Sequence, residues 1–390
     1  MTQSPVRCHR VLVVGAGDSA RAALRAAGIT DVATLDREVL GSRFDDATDS
    51  WLITTADDEG VRARVVVAAD RPVPWIPDIA GRDDFLGESF HAAQWPSGFD
   101  PTGKRVAVVG ADSTAGHHIP RLLKSAASVT VFAHPPRRVV DELPLPATRA
   151  KRWLRRRIRP TADATPRPAL VRSPVVAVTA SRIRTADAAE HDADAIIYGT
   201  GFAAPDPMSG ATLADGMEPY FGVAVRGLPN HFFITGPDTG AQARYVAECI
   251  TLMERTDSTR IEVRRSSQRV FNERVYVRPA EPQPVVSAFE LTSGASGNGA
   301  TYEGTATLTI AGSDHPVRVR LAGHLDPIDG HYHWQGTVFG SAALPDDWLR
   351  QARTATLTVG ECSAPARIIE QTPWGTHTVA GVGAPPYALS

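Results

Sequence analysis

Short, nearly continuous apolar runs punctuated by glycine dominate the first 280 residues, and alternation of apolar and polar positions takes over beyond residue 300. The runs at 11–14, 65–69, 106–109 and 129–132 read as strands, and residues 194–202 as a strand with a glycine turn. Two of them lead through a glycine turn into a stretch of helical length. Residues 10–38 and 103–133 therefore each predict strand, turn, helix, strand. A β-hairpin is predicted between 51–55 and 65–69, with Gly60 near its turn. After a proline-, glycine- and serine-rich linker at 281–300, the segments 306–310, 317–321, 331–338, 354–359, 366–370 and 377–379 predict a small antiparallel β barrel or sandwich.

The two glycine turns carry candidate chemistry. The first, Gly15-Ala16-Gly17-Asp18-Ser19-Ala20, follows a strand directly and opens a helix. Glycine suits a tight turn and close approach of backbone to a pyrophosphate, whose charge the helix N-terminus then meets; Ala20 stands at the helix-packing position. Asp36 closes the next strand, 21 residues after Gly15, where a carboxylate can accept hydrogen bonds from a ribose. The same pattern is consistent with a βαβ unit that keeps glycines for packing alone. In the second turn, Gly110-Ala111-Asp112-Ser113-Thr114-Ala115, Asp112 occupies the place of the second glycine and adds bulk and negative charge where a phosphate would approach.

Composition narrows the classes. With 22% charged residues and a net charge of −2, bulk electrostatics offers nothing to a nucleic acid. Cys8, Cys249 and Cys362 are too scattered for a metal site or disulfide framework, which fits a reduced, cytoplasmic setting. The first strand begins within about ten residues, leaving no room for a signal peptide, and no run approaches the ~18 apolar residues of a membrane span. The basic stretch 149–159 around Trp153 reads as a solvated surface segment, with an anionic partner as the alternative. His324, His331 and His333 are read as polar lining rather than as metal ligands, so no metal is expected.

Between the two turns lies Phe85, Gly87, His91, Trp95 and Pro96 in the spacing F-x-G-x-x-x-H-x-x-x-W-P, which resembles the fingerprint of Baeyer-Villiger and related flavin-containing monooxygenases. Residues 194–202 and 228–240 resemble two further signatures of that family, in the family's order. The resemblance implies an α/β protein with two dinucleotide-binding, Rossmann-like domains. One, residues 101–189, binds NADPH and is inserted in the other, residues 1–100 and 190–280, which binds FAD. It places Gly15, Gly17, Ala20, Asp36, Gly201 and Asp238 at FAD, and Gly110, Ser113 and Thr114 at NADPH. The implied activity is FAD- and NADPH-dependent insertion of one oxygen atom into a small organic substrate, with no catalytic side chain assigned. His91 and Trp95 are read as packing residues of an inter-domain connection. The chain departs from the family where Ala68-Ala69-Asp70 replaces an Ala-Thr-Gly turn, where the insertion opening G-G-x-W is cut short at residues 40–44, and where the peroxide-stabilising arginine has no counterpart. Through Gly323-His324-Leu325-Asp326-Pro327-Ile328-Asp329-Gly330-His331-Tyr332-His333-Trp334 and Pro373-Trp374-Gly375, residues 301–390 resemble an actinobacterial domain of unknown function (DUF4873-like), a surface open to a protein partner. A non-redox cyclase or isomerase, and a catalytically silent binding protein, remain alternatives on the same scaffold.

Overall fold

The computed structural model describes residues 7–15, 17–46, 48–56, 60–69, 73–133, 138–140, 167–203, 217–234, 236–293, 301–325, 330–339, 354–371 and 376–389. The basic stretch 149–159, Asp70, residues 326–329 and residues 373–375 lie outside the described residues.

The first sheet contains β1 (Arg7–Val14), β2 (Ala33–Leu35), β3 (Val39–Asp45), β4 (Ser50–Thr55) and β5 (Gly60–Ala68) in the order β2-β1-β5-β4-β3. The far edge of β5 is shared. Its first residues pair antiparallel with β4, and its last three pair parallel with β15 (His231–Phe233). The expected hairpin therefore exists, but its register lies toward Gly60; the fully apolar residues 66–68 are reserved for the parallel centre, where both faces are covered. Residues 40–44, the remnant of the expected insertion, are part of β3. Helix α1 (Asp18–Ala26) buries Ala20 and Leu24 against one face beside the long helix α3 (Thr239–Arg255).

The second sheet is wholly parallel, β10 (Ala169–Val171), β8 (Ser128–Phe132), β7 (Arg105–Val109), β14 (Ala195–Tyr198) and β6 (Glu88–His91) in that order, with α2 (Ser113–Ser125) packed on it. Strands β6 and β14, which the sequence reading left with the first domain, thus belong to the second sheet. A meander of β11 (Val175–Val178), β12 (Arg182–Thr185) and β13 (Glu190–Asp192) flanks it. Strand β9 (Arg138–Val140) pairs with β17 (Arg274–Tyr276) and ties the units together, while β16 (Ser258–Val263) pairs with β18 (Phe289–Ser293) within the first. Helix α4 (Arg265–Asn272) precedes β17.

The expected linker 281–300 needs correction over 285–293. Helix α5 (Val285–Ala288) and β18 insert Val285, Ala288 and Phe289 into the core of the first unit, which removes this apolar triplet from water. Beyond it, β19 (Thr301–Ile310), β20 (Ser313–Leu325), β21 (Tyr332–Val338), β22 (Thr354–Val359), β23 (Cys362–Gln371) and β24 (His377–Val382) close into an antiparallel barrel, β19-β20-β21-β24-β23-β22. The barrel-or-sandwich alternative resolves to a barrel. Its inward positions, among them Leu308, Val319, Leu321, Trp334, Leu357 and Val379, fill the interior.

Candidate functional site

Register places the carboxyl ends of four parallel strands in one row: Leu35 of β2 beside Val14 of β1, Val14 beside Ala68 of β5, and Ala68 beside Phe233 of β15. The segments leaving that row are Asp36, the Gly15 turn, Ala69, and the Gly236 loop that enters α3. Ligands of open parallel sheets bind beyond such carboxyl ends. Gly15 has φ +94° and donates its N–H to Leu35 O at 3.0 Å, so it both makes the left-handed turn and holds the Asp36 strand alongside. A Cβ on Gly17 would lie 2.5 Å from Ala69 Cβ and 2.7 Å from Val13 Cγ1, so the turn closes onto the sheet only with glycine there. Gly17 is also the N-cap of α1 and supplies no capping side chain, which leaves the first-turn N–H groups to a ligand or water. Asp36 is exposed at the strand end.

At the far end of the row, Asp238 caps α3 by accepting the Ala241 N–H at 2.8 Å. Gln242, buried one turn into the helix, accepts the Gly236 N–H at 2.9 Å and donates to Gly236 O at 3.0 Å. Sequence reading missed Gln242, whose only signal is a glutamine on the buried face of an otherwise apolar stripe. Asn230 was missed as well. Fully buried, it donates to the carbonyls of Asp49 and Thr259 and accepts the Ile261 N–H, fixing the entry to β15.

The second turn is built differently. Helix α2 begins at Ser113, inside the glycine turn itself, and this makes Asp112 its N-cap. Asp112 Oδ1 accepts the Ala115 N–H at 2.9 Å and Oδ2 accepts the Gly201 N–H at 3.1 Å, while its own N–H donates to Gly199 O at 3.0 Å. Gly201 is thereby joined to the second fold rather than standing in the row of the first. Gly110, at φ +91°, lies so close to Gly199 that a Cβ would sit 2.6 Å from its carbonyl oxygen. Ser113 and Thr114 line a small cleft, of about 10 Å³, between the two units, together with Asp112, Phe202, Glu218 and Gly236. The structure thus gathers Gly15, Gly17, Ala20, Asp36 and Asp238 along one sheet edge, and Gly110, Ser113, Thr114 and Gly201 around the other turn.

The fingerprint residues pack at the edge of the second sheet. His91, with no exposed surface, ends β6 and accepts the Ala93 N–H at Nδ1, 3.2 Å, capping a short 3₁₀ turn. Trp95 stacks on His118 of α2 with ring centroids 4.2 Å apart and meets Phe90 and Phe99 edge-on. Burial lowers His91 and His231 from 6.5 to about 4, and lowers His118 to about 4 with help from the neighbouring charges of His117 and Arg121. In the barrel, His324 and His333 face each other across β20 and β21 with ring centroids 6.3 Å apart. Among the described residues no three His, Cys, Asp or Glu side chains converge as a metal site, and no helix is long and apolar enough to cross a membrane.

Comparison with known proteins follows the same division. Residues 299–389 match the family described as Domain of unknown function (DUF4873). The chain is a distant homologue of Baeyer-Villiger monooxygenases: it is 25% identical over 336 residues to one from Pseudomonas aeruginosa and 27% identical over 338 residues to one from Streptomyces coelicolor. These matches cover 61% and 62% of the chain and 63% and 65% of the relatives, so the chain spans less than two thirds of their length. A solved steroid monooxygenase bound to NADP aligns over 74% of this chain and 100% of its own at 17% identity, with a TM-score of 0.33. An uncharacterized protein of Mycobacterium tuberculosis, Rv0943c, is 60% identical over 314 residues, covering 77% of this chain and 89% of that protein. The chain belongs to the family of that uncharacterized mycobacterial protein.

Proposed function

We propose that this protein is a flavin-dependent oxidoreductase of the monooxygenase class that binds FAD along the carboxyl edge of the first sheet and acts on a small organic substrate. The observation that carries the reading is the row Leu35, Val14, Ala68 and Phe233, with an uncapped α1, the Gly15 and Gly17 turn and exposed Asp36 gathered at its end. The residues fit the group. Gly15, Gly17 and the first turn of α1 would meet the pyrophosphate, Asp36 the adenosine ribose, and the Gly236 loop, fixed by Gln242 and Asp238, would bound the other end. When bound, flavin supplies the redox chemistry and the oxygen-atom transfer for which no side chain of this chain is suited. The protein's own part is to place the cofactor, and Ala69 closes the floor under the turn.

The test is the visible absorbance of the purified protein, before and after incubation with FAD and desalting. Stoichiometric bound flavin is expected. A colourless protein that retains none would sink the proposal and favour a silent binding protein, a reading to which the shortened insertion at β3 already lends weight.

A further inference from the structure

We infer that Asp112 closes the second dinucleotide fold to nicotinamide dinucleotides and has converted its glycine turn into a joint that holds the Gly199–Gly201 segment. The inference goes beyond the flavin reading and does not depend on it. NADPH does not fit the residues present, for two separate reasons. The first is charge. Oδ1 and Oδ2 of Asp112 accept the N–H groups of Ala115 and Gly201 at 2.9 and 3.1 Å, in a side chain only 7% exposed. An internal carboxylate therefore already answers the helix end that a phosphate would otherwise neutralise, and it would repel a dianion brought beside it. Glu218 adds a second carboxylate to the same cleft.

The second reason is space. Strand β17 crosses directly over the start of α2: Tyr276 donates its N–H to Ala111 O at 3.1 Å, and a Cβ on Gly116 would meet Tyr276 Cβ at 2.7 Å. Tyr276 is 4% exposed and donates its hydroxyl to Phe271 O at 3.0 Å, so β17 is fixed where it narrows the approach to the turn without filling it, and Asp112 is left as the group that closes it. The contrast with α1, whose N-cap Gly17 offers no side chain, lies within one molecule and one type of βαβ turn. What Asp112 does instead is hold the returning Gly199–Gly201 segment to the second sheet.

Equilibrium dialysis of NADPH and of NADH against the full-length protein tests the inference, with FAD retention measured on the same samples. The native protein is expected to bind neither nicotinamide dinucleotide. D112S, which keeps a capping oxygen but loses the charge, and D112G, which restores the open turn, are expected to gain NADPH affinity more than tenfold. Thermal melting identifies any variant that has unfolded; D112S retains a preferred capping residue and keeps the test open if D112G does not fold. Stoichiometric NADPH binding by the native protein would overturn the inference, as would folded D112S and D112G proteins that gain no affinity. FAD retention reports separately on the first fold, so failure of one reading leaves the other standing.

Discussion

At the scale of single residues, Gly17 and two buried histidines give the sharpest expectations. Gly17→Ala forces a methyl group into Ala69 and Val13, an overpacking that costs about 1–3 kcal/mol. Denaturant unfolding measures that loss, and flavin retention should fall with it, because the turn can no longer lie against the sheet. The histidines set an acid limit. His91 and His231 are held neutral by burial, each near 4 in the fold against 6.5 when exposed. Between those values the unfolded chain binds more protons than the folded one, so stability is full above about pH 6.5 and is lost as the pH falls toward 4. His231→Phe, with Trp51 and Phe233 as ring neighbours, should flatten part of that acid limb in melting curves recorded from pH 7 to about pH 4.5. An unchanged acid limb would exclude His231 as a contributor.

At the scale of elements, the two helix starts show how one motif acquires two uses. The α3 start depends on side chains that no glycine motif announces. Gln242→Leu leaves the N–H and carbonyl of Gly236 without their partner in a half-buried loop, at a cost of about 2–4 kcal/mol. The loop it fixes borders the proposed flavin edge, so retention of FAD should weaken more than it does for Asp238→Ala, which removes a cap at an exposed position and costs about 1 kcal/mol. Parallel measurement of unfolding and flavin retention on the two variants separates general destabilisation from a local effect. The helices' existence was legible in the sequence, while their starts were not. The apolar stripe that signals a helix begins only after its first turn, and the capping residues Asp112 and Asp238 look like any loop aspartate until their partners are placed.

At the scale of the whole molecule, the barrel is fastened to the first sheet through the turn between β3 and β4, the place where the resembled family carries its long insertion. Asp49, 2% exposed and at φ +47°, receives Arg320 of the barrel at 2.7 Å and the hydroxyl of Thr259 at 2.6 Å. Asp46, beside it, pairs with Arg260 at 2.6 Å; burial raises its carboxyl above the ordinary value, against the pull of that guanidinium. Arg320 also reaches Glu303 at 3.0 Å. Removing Arg320 should therefore cost more than removing Asp49: Asp49 would be left buried without its cation, whereas Arg320 keeps Glu303. A double-mutant cycle of Asp49→Asn and Arg320→Gln in urea should return a coupling of about 1–3 kcal/mol; additive losses would show that the barrel is not held there.

The sequence by itself determined the kinds of element and their order. Continuous apolar runs between glycine turns can be satisfied only as buried parallel strands, and alternation after residue 300 only as a sheet with one face inward. It also placed Gly15, Gly17 and Asp36, because strand, turn, helix and strand are neighbours in the chain and their geometry is local. Only the tertiary structure decided what depends on distant partners: that β6 and β14 join the second sheet, that residues 285–293 belong to a core rather than a linker, and that Gly201 answers to Asp112 across 89 positions. A carboxylate in a glycine-rich turn shows its charge in the sequence. Whether that charge repels a cofactor or replaces one is settled by the N–H groups folding brings to it.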